Sequence, residues 1–336
     1  MKRRWKDLVC KRWRYLIRKL RDKRKALRDE LRSLRNEPPN WARALGDLFM
    51  PRTCLVCGCR LGTRERHLCL ACAADMPYTR SWLQVHNPLA DRFNAVLERH
   101  RGTEPMDYAY AVALIYYKGA YRSIPRALKY QGDLAAGHYF GSLLGRRMAS
   151  APHFSDIDLI IPVPLHWTRR WSRGYNQAEI LGQAIVDAFR SAPSSQRWPV
   201  GAGHDVGTNS DIPLLNLPVC RTDLLIRSRR TRTQTRLSVE QKARNVASAF
   251  RVPDRLRRSP FDFIRPGAGF GLGHSRLDRE SPATILASAR HIVLVDDTFT
   301  TGATLYACYA ALRPYTSARI SVATLAAVEG TPSSGP

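Results

Sequence analysis

HIVLVDDTFTTGATL, residues 291–305, runs four apolar residues from Ile292 to Val295 into two adjacent aspartates and then into a stretch of little but threonine, glycine and alanine. A short apolar run bounded by turn residues reads as a buried strand, and Leu305, Cys308, Tyr309 and Leu312 then fall on one helical face. In a parallel α/β sheet, ligands bind beyond the carboxyl ends of the strands. Asp296 and Asp297 emerge at such an edge, just where a loop opens the next helix. Amides at a helix N-terminus lack intrahelical acceptors and favour a phosphate. Gly302 and Ala303 let that phosphate approach the backbone, and Thr300, Thr301 and Thr304 add hydroxyl donors. Two carboxylates repel a phosphate, so their expected partners are hydroxyl donors or a divalent cation. A phosphorylated sugar with vicinal hydroxyls, a ribose 5-phosphate end, satisfies both halves.

Other readings of the stretch are weaker. A Walker B strand needs a G-x-x-x-x-G-K-[ST] loop, and the chain contains no Gly-Lys step. The glycines at 267, 269, 271 and 273 do not fit G-x-G-x-x-G and follow no strand. A purely structural turn leaves the agreement of strand, acids, hydroxyls and helix unexplained.

Working outward, DYAYAVALIYY (107–117), DLIIPVPL (158–165) and ARISVATLAAV (318–328) read as further buried strands. Ala178, Leu181, Ile185 and Phe189 mark a helix entered at Asn176-Gln177. Alternating strands and helices predict an α/β domain with a parallel sheet and flanking helices over 105–330. Residues 191–218 and 253–284, rich in Gly, Pro, Ser and Arg, read as insertions.

Five of eight cysteines crowd into PRTCLVCGCRLGTRERHLCLACAADMP, residues 51–77. Cys54 with Cys57 and Cys69 with Cys72 form two C-x2-C knuckles, close to zinc-ribbon spacing. A disulfide pair or a redox C-x-x-C is the alternative. With no export signal, and with the motif doubled, a structural Zn²⁺ site within 41–80 is expected, Cys59 and His67 being spare ligands.

The net charge is +26, from 54 basic and 28 acidic residues, and attracts any polyanion. Residues 1–37 hold 16 Lys and Arg against 5 Asp and Glu, so 1–40 reads as a basic helical arm. Its face is either solvated or meant for nucleic acid or an anionic membrane surface. Nothing resembles a secretory h-region, and the longest apolar stretch, Tyr108–Tyr117, is about half a membrane span, so a cytoplasmic protein is expected.

IVLVDDTFTTGAT resembles the phosphoribosyl pyrophosphate (PRPP) signature of type I phosphoribosyltransferases. LKYQGD (128–133), PVPLHWTRRWSRGYNQAEILG (162–182), RTRTQTRLSVEQKARNVASAF (230–250) and the four-cysteine ribbon together resemble the competence protein F (ComF) family, over about residues 41–329 apart from the insertions. The resemblance implies a Mg²⁺-dependent transfer of ribose 5-phosphate with pyrophosphate leaving. Asp296 and Asp297 would hold the ribose hydroxyls, and Thr300, Thr301, Gly302, Ala303 and Thr304 the 5-phosphate. Val163, Pro164, Leu165 and His166 would form the loop that meets pyrophosphate and Mg²⁺, with His166 either a phosphate neighbour or a plain turn residue. Arg173 and the segment with Arg229, Arg230, Arg232 and Gln234 would close over it, Arg173 and Arg232 countering the leaving charge. It also implies a role in DNA uptake, with single-stranded DNA or a helicase as partner. Phe299 departs from the signature: it is larger than the small aliphatic residue expected there, beside the ribose. Neither the acceptor nor an oligomeric state follows from the sequence.

Overall fold

The computed structural model describes residues 51–100, 107–192, 217–228, 249–255 and 281–330. The basic arm, Arg229, Arg230, Arg232, Gln234 and most of both insertions lie outside the described residues.

In chain order the elements are α1 (Leu70–Ala74), α2 (Pro88–Arg99), β1 (Ala111–Tyr116), α3 (Leu134–Ala149), β2 (Leu159–Pro162), α4 (Trp167–Arg173), α5 (Gln177–Ser191), β3 (Val219–Cys220), β4 (Ile226–Arg227), β5 (Phe250–Arg251), α6 (Pro282–Ser288), β6 (His291–Phe299), α7 (Ala303–Leu312) and β7 (Arg319–Ala327). A five-stranded sheet runs β1-β7-β6-β2-β3 with every pair parallel, and β4 and β5 form a separate antiparallel ribbon. The expected α/β class with a parallel sheet is therefore what the chain adopts. From β2 the chain winds outward to β3, whereas from β6 it winds the other way to β7. The carboxyl ends of β2 and β6 thus flank the point where the winding reverses, the crevice where such sheets place ligands.

Strand alternation divides the core into two layers. Ile292 and Leu294 face α2, α6 and α7 through Phe93, Leu97, Leu286 and Leu305. Val293 and Val295 face α3 and α5 through Phe140, Leu144, Leu181 and Ile185. Leu61, Leu68 and Met76 of the cysteine-rich segment join that second layer, so the segment packs on the sheet domain. The helix pair α3 and α5 lies unusually close. A Cβ on Gly141 would stand 2.8 Å from Ala184 Cβ, and one on Gly145 2.8 Å from the Ile185 Cα, so these positions admit only glycine. At the amino edge, the buried His291 is hydrogen-bonded to Asp156 at 2.7 Å and to Ser321 at 2.8 Å, tying β6 to β7 far from the crevice.

Helix α2 lies in a stretch for which the sequence reading made no assignment. Its start follows ordinary capping chemistry: Asn87 Oδ1 accepts from the amides of Leu89 and Ala90, and Pro88 occupies the first turn. The Asn87 amide also donates to Ala111 O at 3.2 Å, which registers α2 against β1.

Candidate functional site

Strand β6 continues three residues beyond Asp296. Period-two alternation therefore sends the two acids to opposite faces of the sheet edge. Asp297 is buried and ion-paired to Lys129, Nζ to Oδ2 2.8 Å. Asp296 is half-buried on the other face, within the field of the Arg227 guanidinium on β4, and its Oδ1 accepts the Asp297 amide at 2.8 Å. Burial, first, and then the neighbouring Asp297 charge push the Asp296 carboxyl up to about 7, against the pull of Lys129 and Arg227. Lys129, from a distant part of the chain, thus pairs with Asp297 and also pulls on Asp296, with Arg227 adding a further pull on Asp296. Neither Lys129 nor Arg227 was singled out from sequence. Lys129 sits inside LKYQGD, so a signal was present, but nothing in that motif says what its ammonium meets.

The threonine loop follows at once. Gly302 takes φ +78° and caps α7, a left-handed conformation that disfavours any other residue. Thr300 and Thr301 are exposed, Ala303 and Thr304 half-buried, and the Ala303 amide reaches Thr301 Oγ1 at 3.4 Å. The loop is braced from below by α2. Arg92 donates to Thr300 O at 2.7 Å and to Val328 O at 2.6 Å, and its guanidinium lies 5.2 Å from the Phe299 ring centroid. Phe299 is 1% exposed and packs edge-on against Phe93. Past Asp297 the strand end turns so that Phe299 enters the α2 layer, where its large ring lies beneath Gly302 of the threonine loop. Arg92→Ala removes two directed hydrogen bonds from a charged donor, so a loss of about 1–2 kcal/mol is expected, read as a lower thermal midpoint.

Across the crevice, Val163, Pro164, Leu165 and His166 follow β2. The Val163 amide donates to Val295 O at 2.8 Å, which sets this loop beside the acid pair. Asn176 caps α5 through its Oδ1 and donates its amide to Val163 O at 3.1 Å, fixing the same loop from behind. His166 is buried and caps α4, its Nδ1 accepting from the Thr168 amide at 3.4 Å. Arg173, at the end of α4, lies over Tyr130, 5.5 Å to the ring centroid, next in sequence to Lys129. The acid pair and the loop after β2 thus lie at the carboxyl ends of neighbouring strands, with the threonine loop following β6, and Arg173 stands over Tyr130, the residue after Lys129. Arg232 lies outside the described residues.

In the cysteine-rich segment, the sulfurs of Cys54, Cys57, Cys59 and Cys69 lie within 4.8 Å of one another, and Cys57 Sγ is 3.7 Å from Cys69 Sγ. Four thiolates around Zn²⁺ at about 2.3 Å would stand roughly 3.8 Å apart, so the donor set fits that ion in both chemistry and spacing. Gly58, at φ +74°, forms the first knuckle. Hydrogen bonding to Cys59, its backbone amide foremost, pulls the Cys57 thiol down, and the same contact pushes the Cys59 thiol up. Cys59 enters the cluster although it belongs to neither C-x2-C pair. Cys72 also adjoins it, its amide 3.5 Å from Cys69 Sγ and its thiol interacting with Cys69, Cys57 and Cys54. His67 is occupied elsewhere, 3.9 Å from Asp133 and tilted against Tyr139.

A parallel α/β sheet with an acid pair and a threonine-glycine loop at its winding reversal, carrying a small thiol-rich metal-type module, defines the class of this protein. Over 263 residues the chain is 24% identical to Competence protein F of Haemophilus influenzae, a match covering 77% of this chain and 84% of that relative. No family model matches the chain. Among the described residues, no helix is long and apolar enough to cross a membrane.

Proposed function

We propose that this chain is a PRPP-binding, phosphoribosyltransferase-like protein of the ComF kind, built to take ribose 5-phosphate at the β6 edge and pyrophosphate at the β2 loop. The observation that carries this is the placement of Asp296, Asp297 and the Thr300–Thr304 loop at the winding reversal, with the Val163–His166 loop directly opposite. The acids accept the ribose hydroxyls, and the α7 N-terminus with its threonines takes the 5-phosphate. Arg173, joined by Arg232, counters the charge that grows on the leaving pyrophosphate, so that no protein nucleophile is needed. Mg²⁺, when present, would neutralise pyrophosphate oxygens. With Lys129 already on Asp297, the donors here fit an ion carried mainly by those oxygens. The cysteine module would hold one structural Zn²⁺, four thiolates leaving no open position. Titration calorimetry of PRPP with Mg²⁺ tests the reading: saturable one-to-one binding is expected, and the absence of heat at millimolar PRPP would refute it.

A second reading has its own support. Trp167, at the start of α4, is 66% exposed and Tyr130, under Arg173 from the end of that helix, 75% exposed, and aromatic faces among cations are what single-stranded nucleic acid uses. The relative named for competence points the same way, to a DNA-uptake accessory protein that binds single-stranded DNA or a helicase partner without turnover. Salt-dependent binding of single-stranded DNA that weakens roughly tenfold in Trp167→Ala is expected on this reading; affinity unchanged in that variant removes its support.

A further inference from the structure

The ribose site contains a cation that its sequence motif does not announce. Lys129 lies in a π-helical turn, Ala127–Gln131, that ends at Gly132 with φ +74°. The turn is held on both sides. The Tyr175 hydroxyl, just after α4, donates to Leu128 O, and Asp133 caps α3 by accepting the Ala136 amide at 2.8 Å. From this fixed base the Lys129 ammonium reaches Asp297 Oδ2 at 2.8 Å and Thr298 Oγ1 at 3.5 Å. Its side chain is 28% exposed against 9% for Asp297, so the lysine is the more accessible member of the pair.

We propose that Lys129 is a positioning residue of the ribose site: its ammonium aims the Asp297 carboxylate at a ribose hydroxyl and stands where a divalent cation would otherwise be drawn to the acids. This rests on the PRPP-binding function proposed above and narrows it, because the metal requirement then belongs to the pyrophosphate half alone. A buried carboxylate without a partner would neutralise or recruit a cation. A tethered ammonium supplies the charge permanently, and it leaves the second carboxylate oxygen to accept from a hydroxyl. The charged and titratable groups around the acids are Lys129 from the π-turn, Arg227 from β4, Arg169 of α4 beside Arg227, and Cys308 from α7. Lys129 and Arg227 are the two that pull Asp296 toward its charged form.

The test uses the full chain with Lys129→Gln and Lys129→Arg, titrated with ribose 5-phosphate as a function of pH, in EDTA and again in Mg²⁺. The wild type is expected to bind ribose 5-phosphate in EDTA. Lys129→Gln should lose about tenfold or more, and Lys129→Arg should stay within about threefold, since it restores the charge. The pH midpoint of binding should move upward in Lys129→Gln and not in Lys129→Arg, because removing a cation makes the neighbouring carboxyl harder to ionise. Thermal midpoints of both variants check that they fold. A Gln variant that matches the wild type in affinity and in pH midpoint overturns the proposal. So does a wild type that binds PRPP but takes ribose 5-phosphate only with Mg²⁺, and in that case the PRPP-binding function stands. A wild type that binds neither ligand removes that function and this proposal together.

Discussion

Asp296→Asn is expected to stabilise the protein above neutral pH while it weakens ribose phosphate binding. The Asp296 carboxyl is pushed up to about 7, by burial first and then by Asp297, so the folded state binds its proton more tightly than the unfolded chain does. A raised carboxyl stabilises the fold where it is protonated, and ionisation removes that gain as pH rises through about 7. At pH 8 the wild type therefore carries a strained charge that asparagine lacks. Near pH 4 the two side chains are both neutral and nearly isosteric, and their stabilities should converge. Three pH units correspond to about 4 kcal/mol at most, and partial solvation reduces this to on the order of 2 kcal/mol, or about 4–8 °C in thermal midpoint. Affinity for PRPP should fall on the order of 10- to 100-fold, the loss of a charged acceptor. Scanning calorimetry at pH 5 and pH 8 checks the first half and titration calorimetry the second. A variant less stable than wild type at pH 8 would show that the Asp296 charge supports the fold and not the site. Gain of stability with loss of binding is the usual mark of a group retained for function.

The second large effect is expected at the cysteine module. Residues 51–78 bury little of their own: Cys54, Leu61, Leu68 and Met76 are their core residues, and α1 contains no buried residue. A segment with so small a core is expected to depend on a bound metal, and zinc supplies on the order of 10 kcal/mol to modules of this kind. Cys54→Ser with Cys69→Ser should abolish bound zinc, about one ion per chain in the wild type. Amide exchange should become fast throughout 51–78, while β6 and β7 stay protected. The cluster geometry adds a refinement. Because Cys59 stands within 4.8 Å of Cys54, Cys57 and Cys69, Cys72→Ser should still bind the metal through four sulfurs, visible as a four-thiolate charge-transfer spectrum with Co²⁺. A wild type that is metal-free yet protected in 51–78 contradicts the structural role.

What the sequence made legible is the part governed by local rules. The apolar runs at 292–295, 111–116 and 320–327 are long enough to be buried strands, and Leu305, Cys308, Tyr309 and Leu312 are all buried along α7, as helical spacing requires. Period-two alternation could also have separated the two acids, had β6 been read through to Phe299. Non-local facts were out of reach. Lys129 meets Asp297 across 168 positions and Arg92 meets Thr300 across 208, and no spacing rule connects them. The size of Phe299 was legible against the motif, but not its direction, which depends on how the end of β6 turns against α2. Cys59 was legible only as a spare ligand, because C-x2-C pairs count neighbours along the chain, whereas the fold of the knuckle brings its sulfur within 4.8 Å of those of Cys54, Cys57 and Cys69.

The central claim is that the β6 edge binds the ribose phosphate half of a ligand whose pyrophosphate lies at the β2 loop. Titration calorimetry of PRPP, ribose 5-phosphate and pyrophosphate at one Mg²⁺ concentration, each competed against the others, tests it most directly. The predicted result is that PRPP binds tighter than either fragment, that both fragments displace it, and that Asp296→Asn with Asp297→Asn weakens PRPP and ribose 5-phosphate but leaves pyrophosphate unchanged. Pyrophosphate binding as tightly as PRPP, with the double variant indistinguishable from wild type, would contradict it.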